Sequence, residues 1–383
     1  MAVVKKRLKL CLYGNVYGAY RSQNLLKLLL DKGYRVAWVM PEFYQERGLK
    51  KTLAAKLAHR LFYFYELIDL LIKGTLADVI YLLPVNVERV RTALWVARLC
   101  RAKLVVEVHV LLYDSLIQDG QLAASDSAIA RRYRRLDKIA LTQPDYLIDP
   151  ARYEMNYWSR LLDVELDPVK LHIAPLFTEP TELYKSTYER SGPLRICWWG
   201  TLIALHGVET IIAAMAQLQA MGVAFELTLF AIPPAGQEFL LADYQALIQK
   251  NSLSDRVKIR SDLRFSDGSL PRYLVAHCDL ALGIFGASGR AQATVPTKLI
   301  DALSLGLPTL TMTTPALKEF FDPAVDLWTC EPGNLADAIQ AVDRGTAPVV
   351  DWRRTRAQVL KTFSLETYAQ VVYRLLDQIG RQL

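Results

Sequence analysis

A repeated alternation constrains this chain more than any other feature. Short apolar runs are each followed by a longer amphipathic stretch, and the pattern occurs twice, with a polar break between. Strands that alternate with helices must be joined by helical crossovers, which produce parallel sheets with helices on their faces. In the first half the strands read as Leu8–Tyr13, Arg35–Met40, Val79–Leu83, Lys103–His109, Tyr146–Ile148 and Lys170–Ala174. Helices read as Gln23–Lys32, a long stretch before Val79, Val87–Cys100 and a basic Ile129–Ala140. The polar, proline-containing segment Thr178–Pro193 (TEPTELYKSTYERSGP) follows, and the pattern restarts. Its strands are Leu194–Trp199, Phe225–Phe230, Val257–Arg260, Leu280–Ile284 and Thr309–Met312; its helices are Val208–Met221, Gln237–Asn251, Leu270–His277, Lys298–Leu305 and Leu335–Arg344. The expected fold class is therefore α/β, with two Rossmann-like doubly wound domains facing a central cleft, where the carboxyl ends of parallel strands bind ligands. The expected boundaries are residues 1–177, a linker over 178–193, residues 194–364, and a C-terminal helix in 365–383 that packs back on the first domain.

With 383 residues, 52% hydrophobic and 22% charged, the chain has material for two cores and is not of disordered composition. Its net charge of +7 favours anionic partners, nucleotide phosphates or a membrane surface among them, although a spare basic face gives the same number. The 5 cysteines (Cys11, Cys100, Cys197, Cys278, Cys330) form no C-x-x-C pair and mostly sit in apolar runs, as thiols in a reducing compartment do. The N-terminal MAVVKKRLKLCLYGN reads as a first strand and not a signal peptide, and no run approaches the roughly 20 apolar residues of a membrane span. The expected location is cytoplasmic, peripheral at the inner face of the membrane.

Four stretches carry candidate chemistry. The first is Leu280–Thr311. A buried strand ends near Phe285, a small-residue loop follows over Gly286–Thr294 with Arg290 in it, and Val295–Pro296–Thr297 opens a helix with Thr297 as its expected N-cap. Lys298 falls in the first helical turn, where the helix dipole disfavours a cation, so an anion is expected beside it. A diphosphate there would be held by backbone N–H groups together with Lys298, while Asp301, one turn on, would accept from ribose hydroxyls. An ordinary strand–loop–helix with a solvated lysine reads the same way. The second stretch, Cys197–Glu209, runs a strand into Gly200–Thr201 and a helix out of Gly207, with His206 as a donor to a diphosphate oxygen or as a plain loop histidine. The third, Gly14–Asn24, puts Gly14, Asn15 and Arg21 after the first strand; it lacks G-x-G-x-x-G spacing, so it reads as a flexible lip over a phosphate or sugar and not as an NAD site. The fourth is His109, closing a buried strand at the cleft mouth, to orient a sugar hydroxyl or handle a proton, or to serve as a structural histidine.

Two basic stretches concern partners. Arg131–Lys138 crowds cations on one helix, and Leu49–Lys73 mixes Lys50, Lys51, Lys56 and Arg60 with Leu61, Phe62, Tyr63, Phe64 and Tyr65. Basic and aromatic residues together suit a membrane interface or a lipid-linked acceptor; an aromatic stripe turned toward the core beneath a solvated basic face is the alternative. Nucleic acid is not expected as a partner. The sequence shows no D-x-D triplet, no Cys/His set with metal spacing, no P-loop and no G-x-S-x-G, so neither a bound metal nor a cofactor is expected.

The order of these stretches resembles the GT-B glycosyltransferases, most closely the retaining family 4 type, over nearly the whole chain. WWGTLIALHGVETIIAAM is similar to that family's glycine turn and following helix. GIFGASGRAQATVPTKLIDALSLGLPTLT is similar to its donor signature, in the G-x-F-G start, the P-x-K step and the D-A-L-x-x-G-x-P ending. ADVIYLLP and LVVEVHV fall where the family places a strand pair ending in a functional histidine. The resemblance implies a nucleoside diphosphate sugar as co-substrate in the second domain and a glycan or lipid-linked acceptor on the first. It further implies transfer with retention and without an obligatory metal, in cell-surface polysaccharide or glycoconjugate assembly. It implies catalytic roles for His109 near the transferred sugar and Lys298 at the diphosphate, with donor contacts from Gly14, Asn15, Arg21, Gly200, Thr201, His206, Phe285, Gly286, Arg290, Val295, Pro296, Thr297 and Asp301. The family's signature has two glutamates; here Asp301 holds the second position and Ala293 the first, while its arginine and lysine after the glycine turn appear as Thr201 and His206. A nucleotide-sugar epimerase of the same fold, or a non-catalytic nucleotide-binding scaffold, are the alternative functions.

Overall fold

The structure is a computed structural model that describes residues 8–40, 53–178, 181–323 and 325–383. The chain divides into two compact units: Met1–Ala174 with Glu366–Leu383, and Pro175–Leu365.

In the first unit β1 (Lys9–Tyr13), α1 (Tyr20–Asp31), β2 (Arg35–Val39), α2 (Leu53–Thr75), β3 (Val79–Leu82), α3 (Val90–Cys100), β4 (Lys103–Glu107), α4 (Ala128–Thr142), β5 (Tyr146–Asp149), α5 (Arg152–Leu162) and β6 (Leu171–Ile173) follow in order. The strands form one parallel 6-stranded sheet in the order β2-β1-β3-β4-β5-β6. Both faces of the central strands are covered, so KLCLY, VIYL and KLVVE are apolar almost throughout. A π-helical turn, Tyr113–Asp119, follows β4. It is pinned by the Asp137 carboxylate, which accepts from the N–H groups of Leu112 (3.0 Å) and Tyr113 (2.6 Å).

The second unit runs β7 (Leu194–Thr201), α6 (Val208–Ala220), β8 (Phe225–Ile232), α7 (Phe239–Lys250), β9 (Val257–Arg260), α8 (Ser269–His277), β10 (Leu280–Leu282), α9 (Gly289–Ala293), α10 (Thr297–Ser304), β11 (Thr309–Met312), β12 (Trp328–Cys330), α11 (Leu335–Asp343) and α12 (Trp352–Thr362). Its parallel 6-stranded sheet has the order β12-β11-β10-β7-β8-β9. The core between this sheet and α6 is built from Ile196, Trp198, Ile211, Met215, Leu229 and Leu282, all essentially inaccessible. The last helix, α13 (Leu365–Gln382), belongs to the first unit from Glu366 on. There Tyr373 Oη donates to the Leu28 carbonyl (3.0 Å) and Tyr146 Oη to Gln382 (2.6 Å).

Four local expectations change. The stretch Gly286–Thr294 is not an open loop: Ser288 caps the short helix α9, its hydroxyl accepting from the Ala291 N–H at 3.2 Å. The N-cap of α10 is Pro296, not Thr297, and no side chain caps that end. β4 ends at Glu107, so His109 lies just beyond the strand. The segment after Gly14 is ordered, because Asn15 caps a turn of 3-10 helix over Val16–Gly18 and α1 starts two residues later.

Each strand order doubles back once. The reversal lies between β1 and β3 in the first unit and between β7 and β10 in the second. Chain segments leaving such a pair of strands diverge to opposite sides and open a crevice at their carboxyl ends. In the first unit those ends carry Gly14 and Asn86; in the second they carry Gly200 and Gly283–Gly286.

Candidate functional site

The crevice of the second unit joins two stretches that are distant in sequence. β7 ends in Gly200–Thr201, and a turn of 3-10 helix over Ala204–His206 leads to Gly207. Gly207 has φ +63, and a Cβ there would lie 2.3 Å from the Phe285 carbonyl carbon. Gly286 meets the same loop from the other side, since a Cβ on it would lie 2.4 Å from the Leu205 carbonyl oxygen. The Phe285 N–H donates to the His206 carbonyl at 3.1 Å. Only glycine permits this approach of backbone to backbone, so the sequence pattern G-T-x-x-x-x-H-G together with F-G clamps the ends of β7 and β10 into one surface.

Lys298 enters that surface from the first turn of α10. Its side chain is buried, and among the described residues its Nζ has no hydrogen-bond partner. The ammonium sits 4.0 Å from the centroid of the Trp198 ring. A Cβ on Gly200, whose φ is +143, would lie 2.9 Å from Nζ. Burial drives the Lys298 pKa well below its ordinary value, because the charged form loses its hydration. The Trp198 indole is itself fixed by donating from Nε1 to the Gly283 carbonyl at 3.1 Å. One ring thus ties β10 to β7 and floors the lysine. Asp301, one turn further along α10, is half-buried, and desolvation raises its carboxyl to about 7.

His206 does not play the part expected of it. Its Nδ1 is bonded to the Thr201 carbonyl oxygen, which can only accept, so Nδ1 carries the proton. Burial first, then the neighbouring Lys298 charge, lowers its pKa to about 3. A neutral ring with its one N–H already used has only a lone pair at Nε2. His206 is therefore not a donor to a diphosphate in this state. It holds the Gly200–Thr201 turn and packs edge-on against Trp198, with centroids 5.7 Å apart.

The other predicted residues of this unit fall around the same surface. Phe285, Val295 and Pro296 are buried, Thr297 is exposed, and Arg290 in α9 is close enough to depress His206. Ala293, the position of the family's first glutamate, is buried in α9.

In the first unit Gly14 (φ +135) lies against Asn86, since a Cβ on it would be 2.7 Å from Asn86 Nδ2. Asn15 spends its side chain as a cap, accepting from the Tyr17 N–H at 3.0 Å. His109 is half-buried beyond the end of β4. Arg21 corrects the expectation of a lip residue. Its guanidinium is buried, pairs with Glu107, donates to the Ala174 carbonyl at 2.7 Å and stacks 4.2 Å from the Tyr368 ring centroid. Glu107 also accepts from Tyr81 Oη (2.5 Å) and Tyr368 Oη (3.1 Å), so the cluster fastens α13 into this unit's core. The sequence signals for these partners were slight: one glutamate inside the apolar VVEVHV, and one of two adjacent tryptophans in ICWWG.

Expectations for Leu49–Thr52 and for the Lys56 side chain lie outside the described residues. No described helix is long and apolar enough to cross a membrane.

No protein-family model matches the chain, and no curated protein matches it. Solved structures do. Anabaena HepE in complex with UDP-glucose superposes with a TM-score of 0.68 at 13% identity, over 96% of this chain and 99% of that one. Sucrose-phosphate synthase from Thermosynechococcus elongatus gives 0.69 at 16% identity, over 98% of this chain and 100% of that one. A Rickettsia africae glycosyltransferase gives 0.61 at 12% identity, over 98% and 99%. The fold is that of the GT-B glycosyltransferases, with its two Rossmann-like sheets.

Proposed function

We propose that this chain is a glycosyltransferase that moves a sugar from a nucleoside diphosphate sugar to a hydroxyl of a glycan or lipid-linked acceptor. The observation that carries the reading is Lys298: a buried lysine, its Nζ without a partner among the described residues, at an uncapped helix start in the crevice where a doubly wound sheet binds ligands. A cation held there at a desolvation penalty has a reason to exist if an anion completes the site. The donor's diphosphate is that anion. In transfer, the bond between the anomeric carbon and the diphosphate oxygen breaks with its electron pair on that oxygen, and the acceptor oxygen bonds to the anomeric carbon as its proton passes to the departing diphosphate. Lys298 and the N–H groups opening α10 stabilise the charge that develops on the diphosphate. Asp301 accepts from the ribose hydroxyls, and Gly200 keeps the β7 turn low enough for the phosphates to approach.

UDP is the first nucleotide to test, because HepE was solved with UDP and with UDP-glucose. Retention of configuration, independence of metal, His109 at the transferred sugar and a role in cell-surface glycan assembly complete the proposal; they rest on the family resemblance. The test is sugar transfer by Lys298→Ala. The rate should fall by orders of magnitude while circular dichroism stays that of the wild type, and near-wild-type turnover rejects the assignment. A product assay with donor alone separates transfer from epimerisation.

A further inference from the structure

The long helix α2 presents an unexpected face. Leu57, Leu61, Phe64, Tyr65, Ile68 and Ile72 follow one another at helical spacing, and all are exposed, Leu61 at 63%, Phe64 at 61% and Ile72 at 60%. The aromatic stripe thus turns outward, not into the core. The opposite side of α2 carries the packing, through buried Glu66 and Leu70. A row of this length and exposure is uncommon on a protein surface that meets only water.

Beside the stripe lies a cavity of about 590 Å³ walled by α2, α3 and α4. Tyr63 and Trp95 supply rings, and Arg91, Arg131, Arg132 and Arg135 supply charge, with Glu88 as the one carboxylate of the lining. Arg91, Arg132 and Arg135 are exposed and have no acidic partner among the described residues. Arg131 is anchored to the Asp126 carbonyl. Tyr63 is oriented by its 2.6 Å hydrogen bond to Thr92 and by Arg89 stacked 5.1 Å from its ring centroid. The cavity also receives the start of α4 at Ala128, the positive end of a 15-residue helix.

We infer that this face docks on an anionic phospholipid surface, with the stripe of α2 lying in the interface and the arginine cavity holding a lipid phosphate. Guanidinium forks suit phosphate oxygens, and an apolar stripe bordered by such cations matches the layering of a membrane surface, where acyl chains lie under charged headgroups. A soluble phosphorylated ligand would use the cavity and leave the stripe without a role. The inference concerns the first unit and does not depend on the transferase reading.

The test is co-sedimentation of the full chain with vesicles. Wild type should pellet with vesicles containing phosphatidylglycerol and not with phosphatidylcholine alone, and added salt should weaken the binding. The triple variant R91Q/R132Q/R135Q should bind the anionic vesicles roughly a hundredfold more weakly, from about fivefold per arginine near a charged surface. Phe64→Ser with Ile68→Ser should also weaken binding, by roughly tenfold or more. All variants should keep the wild-type melting temperature. Equal binding to both vesicle types, or full binding by the triple variant, overturns the inference. Stabilisation of the chain by inorganic phosphate without vesicle binding also overturns it, in favour of a free-anion site. A UDP-induced melting shift unchanged in the triple variant keeps this result separate from the fate of the donor site.

Discussion

Replacement of Lys298 by methionine should make the ligand-free protein more stable and its nucleotide complex weaker. The side chain is buried over Trp198 with no partner for Nζ among the described residues, so the native state carries the desolvation of an uncompensated polar group. Such a group costs about 1–3 kcal/mol, and removing it in a unit of this size raises the melting temperature by about 2–12 °C. Methionine keeps the length of the stem and sets a thioether on the indole. The pH dependence follows the same logic. A lysine whose folded pKa is depressed binds fewer protons folded than unfolded, so its contribution is full above the free value of 10.5 and is lost as pH falls toward the folded value. Wild type should therefore gain on the variant as pH rises toward 10.5. With UDP the order reverses. At a concentration about 100 times its Kd, a ligand stabilises by about 2.7 kcal/mol; loss of one charge-assisted bond raises Kd by roughly a hundredfold and leaves about 0.4 kcal/mol. Differential scanning fluorimetry of both proteins, alone and with UDP, reads all of these quantities, and uridine serves as a phosphate-free control whose shift should not change. A lower melting temperature for ligand-free Lys298→Met would refute the burial argument, and an undiminished UDP shift would refute the diphosphate contact.

Other substitutions probe neighbouring links. Gly200→Ala places a Cβ 2.9 Å from Nζ at φ +143, so the fold should survive with a loss of about 1–2 kcal/mol while UDP binding weakens at least tenfold in calorimetry. His206, with its folded pKa lowered to about 3, contributes stability above its free value of 6.5 that is lost as pH falls toward 3. His206→Gln should flatten that acid limb in urea titrations, and a slope equal to wild type would show the ring to be solvated. Asp301, raised to about 7 by burial, acts in the opposite sense: its contribution is full below 3.8 and lost as pH rises through about 7. Asp301→Asn should therefore exceed wild-type stability above neutral pH, and calorimetry should show the same fractional loss of affinity for uridine as for UDP. Glu107→Gln leaves Arg21 buried without its counter-charge and should cost about 3–5 kcal/mol in urea unfolding; a loss below 1 kcal/mol would mean that the cluster is not what fastens α13.

The fold was legible because parallel strands covered on both faces must be apolar, and runs such as CLY and LVVEV show that directly. Elements with weaker patterns escaped. β12 is a 3-residue edge strand, and α12 is rich in arginine, so that beside buried Trp352 and Val359 part of its packing is polar, as where Arg356 donates to the Ser304 carbonyl at 2.8 Å. The lysine of the site was legible because a cation in a first helical turn is out of place. The floor beneath it was not. Which of Trp198 and Trp199 faces the crevice depends on the side from which α6 and α10 cover the sheet, and that is settled only when strands distant in sequence pair. Arg21 and Glu107 lie 86 residues apart, and nothing local to either names the other. The stripe on α2 was visible as composition but not as direction, because the helix has apolar residues on two sides and only packing selects which of them enters the core.

The departures from the family's donor signature belong together once the packing is known. Ala293 is only 1% exposed, in a helix capped by Ser288, so a glutamate there would need a cation beside it to be tolerated. The positions where the resemblance places an arginine and a lysine hold Thr201, whose carbonyl is engaged by a histidine, and His206, held neutral. Where the resembled signature has a carboxylate and two cations this chain has uncharged groups, while Lys298 has no partner for its Nζ among the described residues. A lysine facing a carboxylate would be neutralised before any ligand arrived; Lys298, which faces none among the described residues and whose pKa burial depresses, regains its charge where an incoming anion, the proposed diphosphate, supplies the counter-charge. Trp198 beneath Lys298 fits the same pattern, since an indole face attracts a cation without neutralising it. Substituting Ala293, Thr201 and His206 one at a time toward that pattern therefore tests less than Lys298 alone, because each single change introduces a charge at a buried (Ala293) or half-buried (Thr201, His206) position without the opposite charges of the pattern.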